Sequence, residues 1–137
     1  MAAPYYSASS EYSPSANGDN YSDWSNPTNA YSSGDNYSEP SSSNDQHDWY
    51  NFSIDAPSGD VTAININLEA KASSFPNSAG VDVALSWDGG SSWTSEVNSG
   101  TIDSSESTIT ISSLFGRSWS ASDFTNANFR VRITEKG

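Results

Sequence analysis

His47 is the only histidine in the chain. It is therefore the one side chain whose ordinary pKa suits proton shuttling near neutral pH. It stands in Asn44-Asp45-Gln46-His47-Asp48. Nucleophilic catalysis needs a nucleophile beside its base, with a third group orienting the base. Serines are so abundant here that one near His47 carries no information. No nucleophile elbow, zincin helix motif or phosphate-binding loop occurs. His47 is read as a solvated residue ahead of a strand, and no residue is assigned a catalytic role. Glycoside hydrolysis asks for two carboxylates at a fixed separation. The 17 Asp and Glu residues supply such a pair by chance, so most of them are read as solubilising.

Calcium is the one cofactor the sequence admits. The ion takes roughly six to eight oxygens from carboxylates, amides and carbonyls. Two related runs offer them, Gly18-Asp19-Asn20-Tyr21-Ser22-Asp23 and Gly34-Asp35-Asn36-Tyr37-Ser38-Glu39. Asp35 is the leading ligand candidate, with Asp19 and Asp23 beside it. Neither run has the Asp-x-Asn-x-Asp-Gly spacing of a helix-loop-helix site.

Sugar rings stack on exposed aromatics, so Trp24, Tyr31 and Trp49 are the candidate glycan-binding residues. Strand parity predicts Trp49 outward, opposite Tyr50, and Trp87 inward with Leu85. Arg130 and Arg132 share the predicted outer face of the last strand. With Arg117 they form the basic patch of an acidic chain. They are expected either to pair with acids on adjacent strands or to dock an acidic arm from a neighbouring copy.

The elements that must position these residues are strands. Val81, Val83, Leu85 and Trp87 alternate with polar or small residues. Asp88-Gly89-Gly90 then supplies a hairpin turn, and Trp93 and Val97 continue beyond it. Tyr50, Phe52 and Ile54 predict a strand from Trp49 onward. Ile64, Ile66 and Leu68 predict another over Ala63 to Lys71. Ile109 and Ile111 predict one over 107–112, and Phe129, Val131 and Ile133 the last. A helical turn capped by Ser122 is expected between Leu114 and Asn126. No segment holds a sustained apolar helix period. The fold class is therefore all-β, an antiparallel two-sheet β-sandwich of jelly-roll-like form with an extended N-terminal arm.

At 137 residues the chain suits one domain. Residues 1–23 are read as a polar, acidic, tyrosine-rich arm and residues 24–137 as the sandwich. Tyr5, Tyr6 and Tyr12 would carry the arm's contacts with a neighbouring subunit, because tyrosine joins an apolar ring to a wet hydroxyl. A formal charge of −12 excludes nucleic acid, which selects clustered Lys and Arg. No stretch is long and apolar enough for membrane insertion. The first residues show no signal peptide: either one has been removed, or the protein reaches its place without secretion, as virion proteins freed by lysis do. The chain holds no cysteine.

The segment Ser86-Trp87-Asp88-Gly89-Gly90-Ser91-Ser92-Trp93 fits the Asp box, S-x-D-x-G-x-[ST]-W. It resembles the turns repeated on sialidase propeller blades, but here a single copy stands in a chain too short for a propeller. It is read as a structural turn in which Asp88 accepts backbone N–H groups, Gly90 permits the reversal and Trp93 packs back. Three motifs together carry a broader resemblance. They are Trp24-Ser25-Asn26-Pro27-Thr28-Asn29-Ala30-Tyr31, the Ser86 to Thr94 hairpin, and Trp119 with Ser122 through Arg132. They resemble jelly-roll, galactose-binding-like β-sandwich modules of phage virion proteins and prokaryotic surface proteins, over roughly residues 24 to 135. The resemblance implies a non-enzymatic adaptor. It would be a structural part of a virion or other extracellular surface that self-associates or sits on a scaffold. The alternative it implies is a carbohydrate-binding module that uses calcium.

Overall fold

A computed structural model of the chain describes residues 11–72 and 80–136. Seven strands follow one another: β1 Ala16–Ser22, β2 Gln46–Tyr50, β3 Ile64–Ala70, β4 Val81–Ser86, β5 Val97–Asn98, β6 Ser107–Ser113 and β7 Arg130–Glu135. They form a five-stranded sheet in the order β1-β2-β7-β4-β5 and a two-stranded sheet, β3-β6. Every pairing is antiparallel. The two sheets pack face to face as a β-sandwich.

Alternation builds the inner faces. Val83 lies opposite Ile133, and Leu85 opposite Val131. On the other side of β7, His47 meets Ile133 and Trp49 meets Val131. In the smaller sheet Ile66 faces Ile111 and Leu68 faces Ile109. One end is closed by aromatic rings. Phe124 and Phe129 lie 5.4 Å apart, Trp119 and Phe124 5.5 Å, and Phe52 meets Phe129 edge-on at 5.6 Å. Such pairs add to the area they bury.

Along part of its length the sandwich is open. A groove of about 1200 Å³ lies between the sheets. Trp49, Val131 and Ile133 line it from the larger sheet, Ile64, Ile66 and Leu68 from the smaller, and residues 11–14 also contribute to the lining. Native interiors hold few voids larger than a water molecule. A gap of this size is therefore a surface feature and not loose packing.

Several expectations are corrected. Residues 16–22, read as arm, are the edge strand β1, so the sandwich begins before residue 24. β2 starts at Gln46 and stops at Tyr50, where Asn51 (φ 58°) and Ser53 (φ 55°) turn the chain aside. The frame is thus one residue away from the predicted one, and a one-residue slip exchanges the faces of a strand. Trp49 and His47 are inside, and Tyr50 is outside. The expected hairpin is also looser: β4 pairs β5 only at Asp82–Asn98 and Val83–Val97, so residues 87–96 form a long connection. The turn at Ala121–Phe124 is capped by Ser120, with Asp123 completing a capping box, in place of Ser122. The predicted loop over 73–80 falls mostly outside the described residues, as do Tyr5 and Tyr6.

Candidate functional site

The inner face of β2 gathers the first cluster. His47 is 1% exposed. Its Nδ1 accepts the backbone N–H of Trp24 at 3.1 Å. Its Nε2 lies 2.9 Å from Asn17 Oδ1. Those partners select the neutral ring protonated on Nε2. Burial pushes its pKa down, against the pull of Asp48 and Asp23. With both nitrogens engaged, His47 has no face turned to a substrate. The expectation of a solvated histidine is corrected.

Of the three expected glycan-binding residues, Trp49 lies in the core and Trp24 and Tyr31 pack half-buried against it. Trp49 is 4% exposed, and its indole N–H donates to the Pro27 carbonyl at 3.0 Å. Trp24 stands edge-on to it at 5.6 Å and donates to the Asp45 carbonyl at 3.1 Å. The Tyr31 hydroxyl accepts from the Asn17 amide at 2.7 Å. Their polar ends are satisfied within the protein, and Trp49 faces the core. They make no exposed platform.

On the outer face of the larger sheet, Arg132 grips Asp48 through both nitrogens, at 2.8 and 3.1 Å. Asp48 is fully buried. Burial pushes its pKa up while the hydrogen bonds and charge of Arg132 oppose the shift. The Arg132 guanidinium also lies 3.7 Å from the Trp93 ring centre and 4.5 Å from that of Tyr21. Arg130 covers Tyr50 at 4.0 Å and pairs with Asp19. Both arginines therefore pair with acids and are nearly covered, at 11% and 13% side-chain exposure. They are not an open docking patch for a neighbour's arm. Arg117 stands apart from them, over Trp87 and Trp119 and bonded to Asp123. Tyr12, expected to meet a neighbour, reaches Asp55 of its own chain at 3.4 Å.

The calcium candidates are dispersed. Asp19 is held by Arg130, Asp23 accepts the Gln46 N–H at 3.1 Å, and Asp35 is exposed. Among the described residues, no group of three or more His, Cys, Asp and Glu is placed to hold a metal ion.

The Asp box adopts a tight local network. Asp88 accepts the Ser92 N–H at 2.8 Å and the Ser86 hydroxyl at 3.0 Å. Partial burial works against its charge, but these bonds outweigh it and hold the carboxyl below its usual range. Gly89 (φ 73°) and Gly90 (φ 91°) take the left-handed backbone, and a Cβ on Gly89 would come within 2.9 Å of the Ala127 carbonyl. Trp93 donates to the Gly90 carbonyl at 3.1 Å.

This network sets Trp93 beside Trp87. Trp87, Trp93, Thr94, Ser95, Phe115, Gly116 and Arg117 line an open depression of about 230 Å³. Trp87, expected inward with Leu85, packs half-buried against the core, and the depression itself was not foreseen. The two tryptophans flank one Gly-rich turn, but nothing in the sequence joins Phe115 and Arg117 to them.

No protein-family model matches the chain, and neither a curated protein nor a solved structure does.

Proposed function

We propose that this protein is a non-enzymatic structural component that builds or decorates an extracellular assembly, a virion surface or tail part, and meets its neighbour through its N-terminal segment. The groove between the sheets carries this reading. It is lined by apolar and polar side chains together, and Glu11, Tyr12, Ser13 and Pro14 are among them. Among the described residues β3 and β6 form a sheet by themselves, so each has one edge that no described strand covers. Copies at a net charge of −12 repel one another. Residues 1–10, MAAPYYSASS, have no charged side chain and include Pro4, Tyr5 and Tyr6, so contact through them avoids that repulsion. The engagement of His47 and Asp48 within the fold supports the non-enzymatic side of the reading. Light scattering behind size exclusion tests it. The full chain is expected to form oligomers as concentration rises, and a chain lacking residues 1–10 to stay monomeric. A full chain that remains monomeric at its solubility limit overturns the assembly.

A further inference from the structure

We propose that His47 is a proton-operated latch. Its neutral ring holds the corner at Trp24, where β1 leaves the larger sheet, and its protonated ring frees that corner while the other strands stay paired. The device uses described residues alone and does not depend on how copies assemble.

The hydrogen bonds carry the argument. A backbone N–H can only donate, so the bond from the Trp24 N–H at 3.1 Å requires a lone pair on His47 Nδ1. The imidazolium has an N–H at both ring positions and no lone pair to offer. A proton on His47 therefore sets two donors against each other at a residue that is 1% exposed. A buried donor without an acceptor is unfavourable, and turning the ring over only exchanges one N–H for the other. The bond on the far side of the ring survives. Asn17 Oδ1, 2.9 Å from Nε2, accepts from either form of the ring. The change is confined to the Trp24 side.

Trp24 is the partner able to move. His47 lies within β2, opposite Ser22 of β1 on one side and Ile133 of β7 on the other. Trp24 stands two residues beyond the end of β1, an edge strand whose register with β2 is broken between Asn17 and Ser22. It is half-buried, and its neighbours Asp23 and Ser25 are exposed. Besides His47, the corner is tied to β2 through the Asp23 N–H on the Gln46 carbonyl and the Gln46 N–H on the Asp23 carboxylate, each at 3.1 Å. The Trp24 indole adds its bond to Asp45 and its contact with Trp49. A segment with so few buried contacts opens ahead of the whole fold.

The charges around the ring set the direction. Asp48, next along β2, points to the opposite face and is engaged by Arg132 of β7. Asp23 belongs to the corner itself. β7 turns the apolar Ile133 to His47, β1 the uncharged Asn17 and Ser22, and the Trp49 ring lies 4.6 Å away. Burial holds the His47 pKa down, although both carboxylates favour the proton. In the opened corner the ring meets water and returns toward about 6.5. A ring that binds its proton more readily open than closed makes opening easier as pH falls below that value.

Amide hydrogen exchange of the full chain, read by NMR from about pH 7 to about pH 5, tests the latch. Protection at Trp24, taken relative to the intrinsic rate at each pH, is expected to fall about tenfold per pH unit below about 6.5. It is expected to be insensitive to dilute urea, because a local opening exposes little surface, while protection in β4 and β7 falls with urea. His47→Asn places a carbonyl oxygen near the Nδ1 position, an acceptor that no proton blocks, and is expected to keep Trp24 protected at low pH. Trp24 protection that matches that of β4 and β7 and falls with urea as theirs does would make the opening global and overturns the latch. Protection that does not change with pH overturns it too, as does an undiminished pH dependence in His47→Asn. If His47→Asn does not fold, the ring nitrogen shifts of His47, the only histidine, decide in its place. The latch requires the Nε2–H tautomer at about pH 7, and an Nδ1–H ring overturns it.

Discussion

The β4–β7 half of the sandwich and the β3–β6 half are built from the same alternating pattern, yet they end differently. Val83 and Leu85 on β4 are fully buried, and even Ala84 and Ser86 on the opposite face are covered. Trp93, Tyr21 and Arg132 form the layer over that outer face. Ile64, Ile66 and Leu68 on β3 remain half-buried along a groove of about 1200 Å³. One half of the molecule is complete within a single chain. The other carries a mixed polar and apolar lining that the described residues do not fill.

The sharpest way to break the comparison is to damage the complete half through its charges. Arg132→Met leaves Asp48 ionisable, buried and unpaired, an arrangement that destabilises by about 3–5 kcal/mol. Urea unfolding followed by tryptophan fluorescence is expected to show a loss of that order. Leu85→Ala removes a fully buried side chain and is expected to cost about 3 kcal/mol in the same assay. Ile66→Ala, on the open wall, is expected to cost about 1 kcal/mol in the monomer, because its surroundings already admit water. Equal losses for Leu85→Ala and Ile66→Ala in a monomeric sample would erase the distinction.

The smallest effect concerns pH. Burial lowers the pKa of His47 in the folded chain. The unfolded state then binds the proton first as pH falls, so the stability from keeping His47 neutral is present above about pH 6.5 and is lost below it. Thermal unfolding between pH 7 and pH 5, as round values spanning that pKa, is expected to show a falling midpoint. The fall should be shallower in His47→Gln, which keeps an amide for Asn17. An identical slope in both proteins would remove His47 from the account.

What could be read beforehand follows the same division. Val81 to Leu85, Ile64 to Leu68 and Val131 to Ile133 alternate strictly, and each strand was legible within a residue or two. β2 was misread because Tyr50, Phe52 and Ile54 also alternate. The break lies in the backbone at Asn51, and no side-chain pattern announces a positive φ there. β1 was invisible, since residues 16–22 contain no Ile, Leu or Val. It is held through Asn17, whose amide group serves both His47 and Tyr31. The turn at Asp88, Gly90 and Trp93 was legible because its chemistry is local. The pocket beside it was not, because Phe115 and Arg117 arrive from a distant loop.

The proposed assembly rests on a contact between residues 1–10 of one copy and the groove side of another. The chain has no cysteine, so single cysteines can be placed without background. Tyr5→Cys in one tagged population and Ile66→Cys in a second, mixed at high concentration and gently oxidised, measure it directly. A disulfide joining the two tags is the result this account requires. Mixed populations that yield no cross-linked species, while each remains folded, would contradict it.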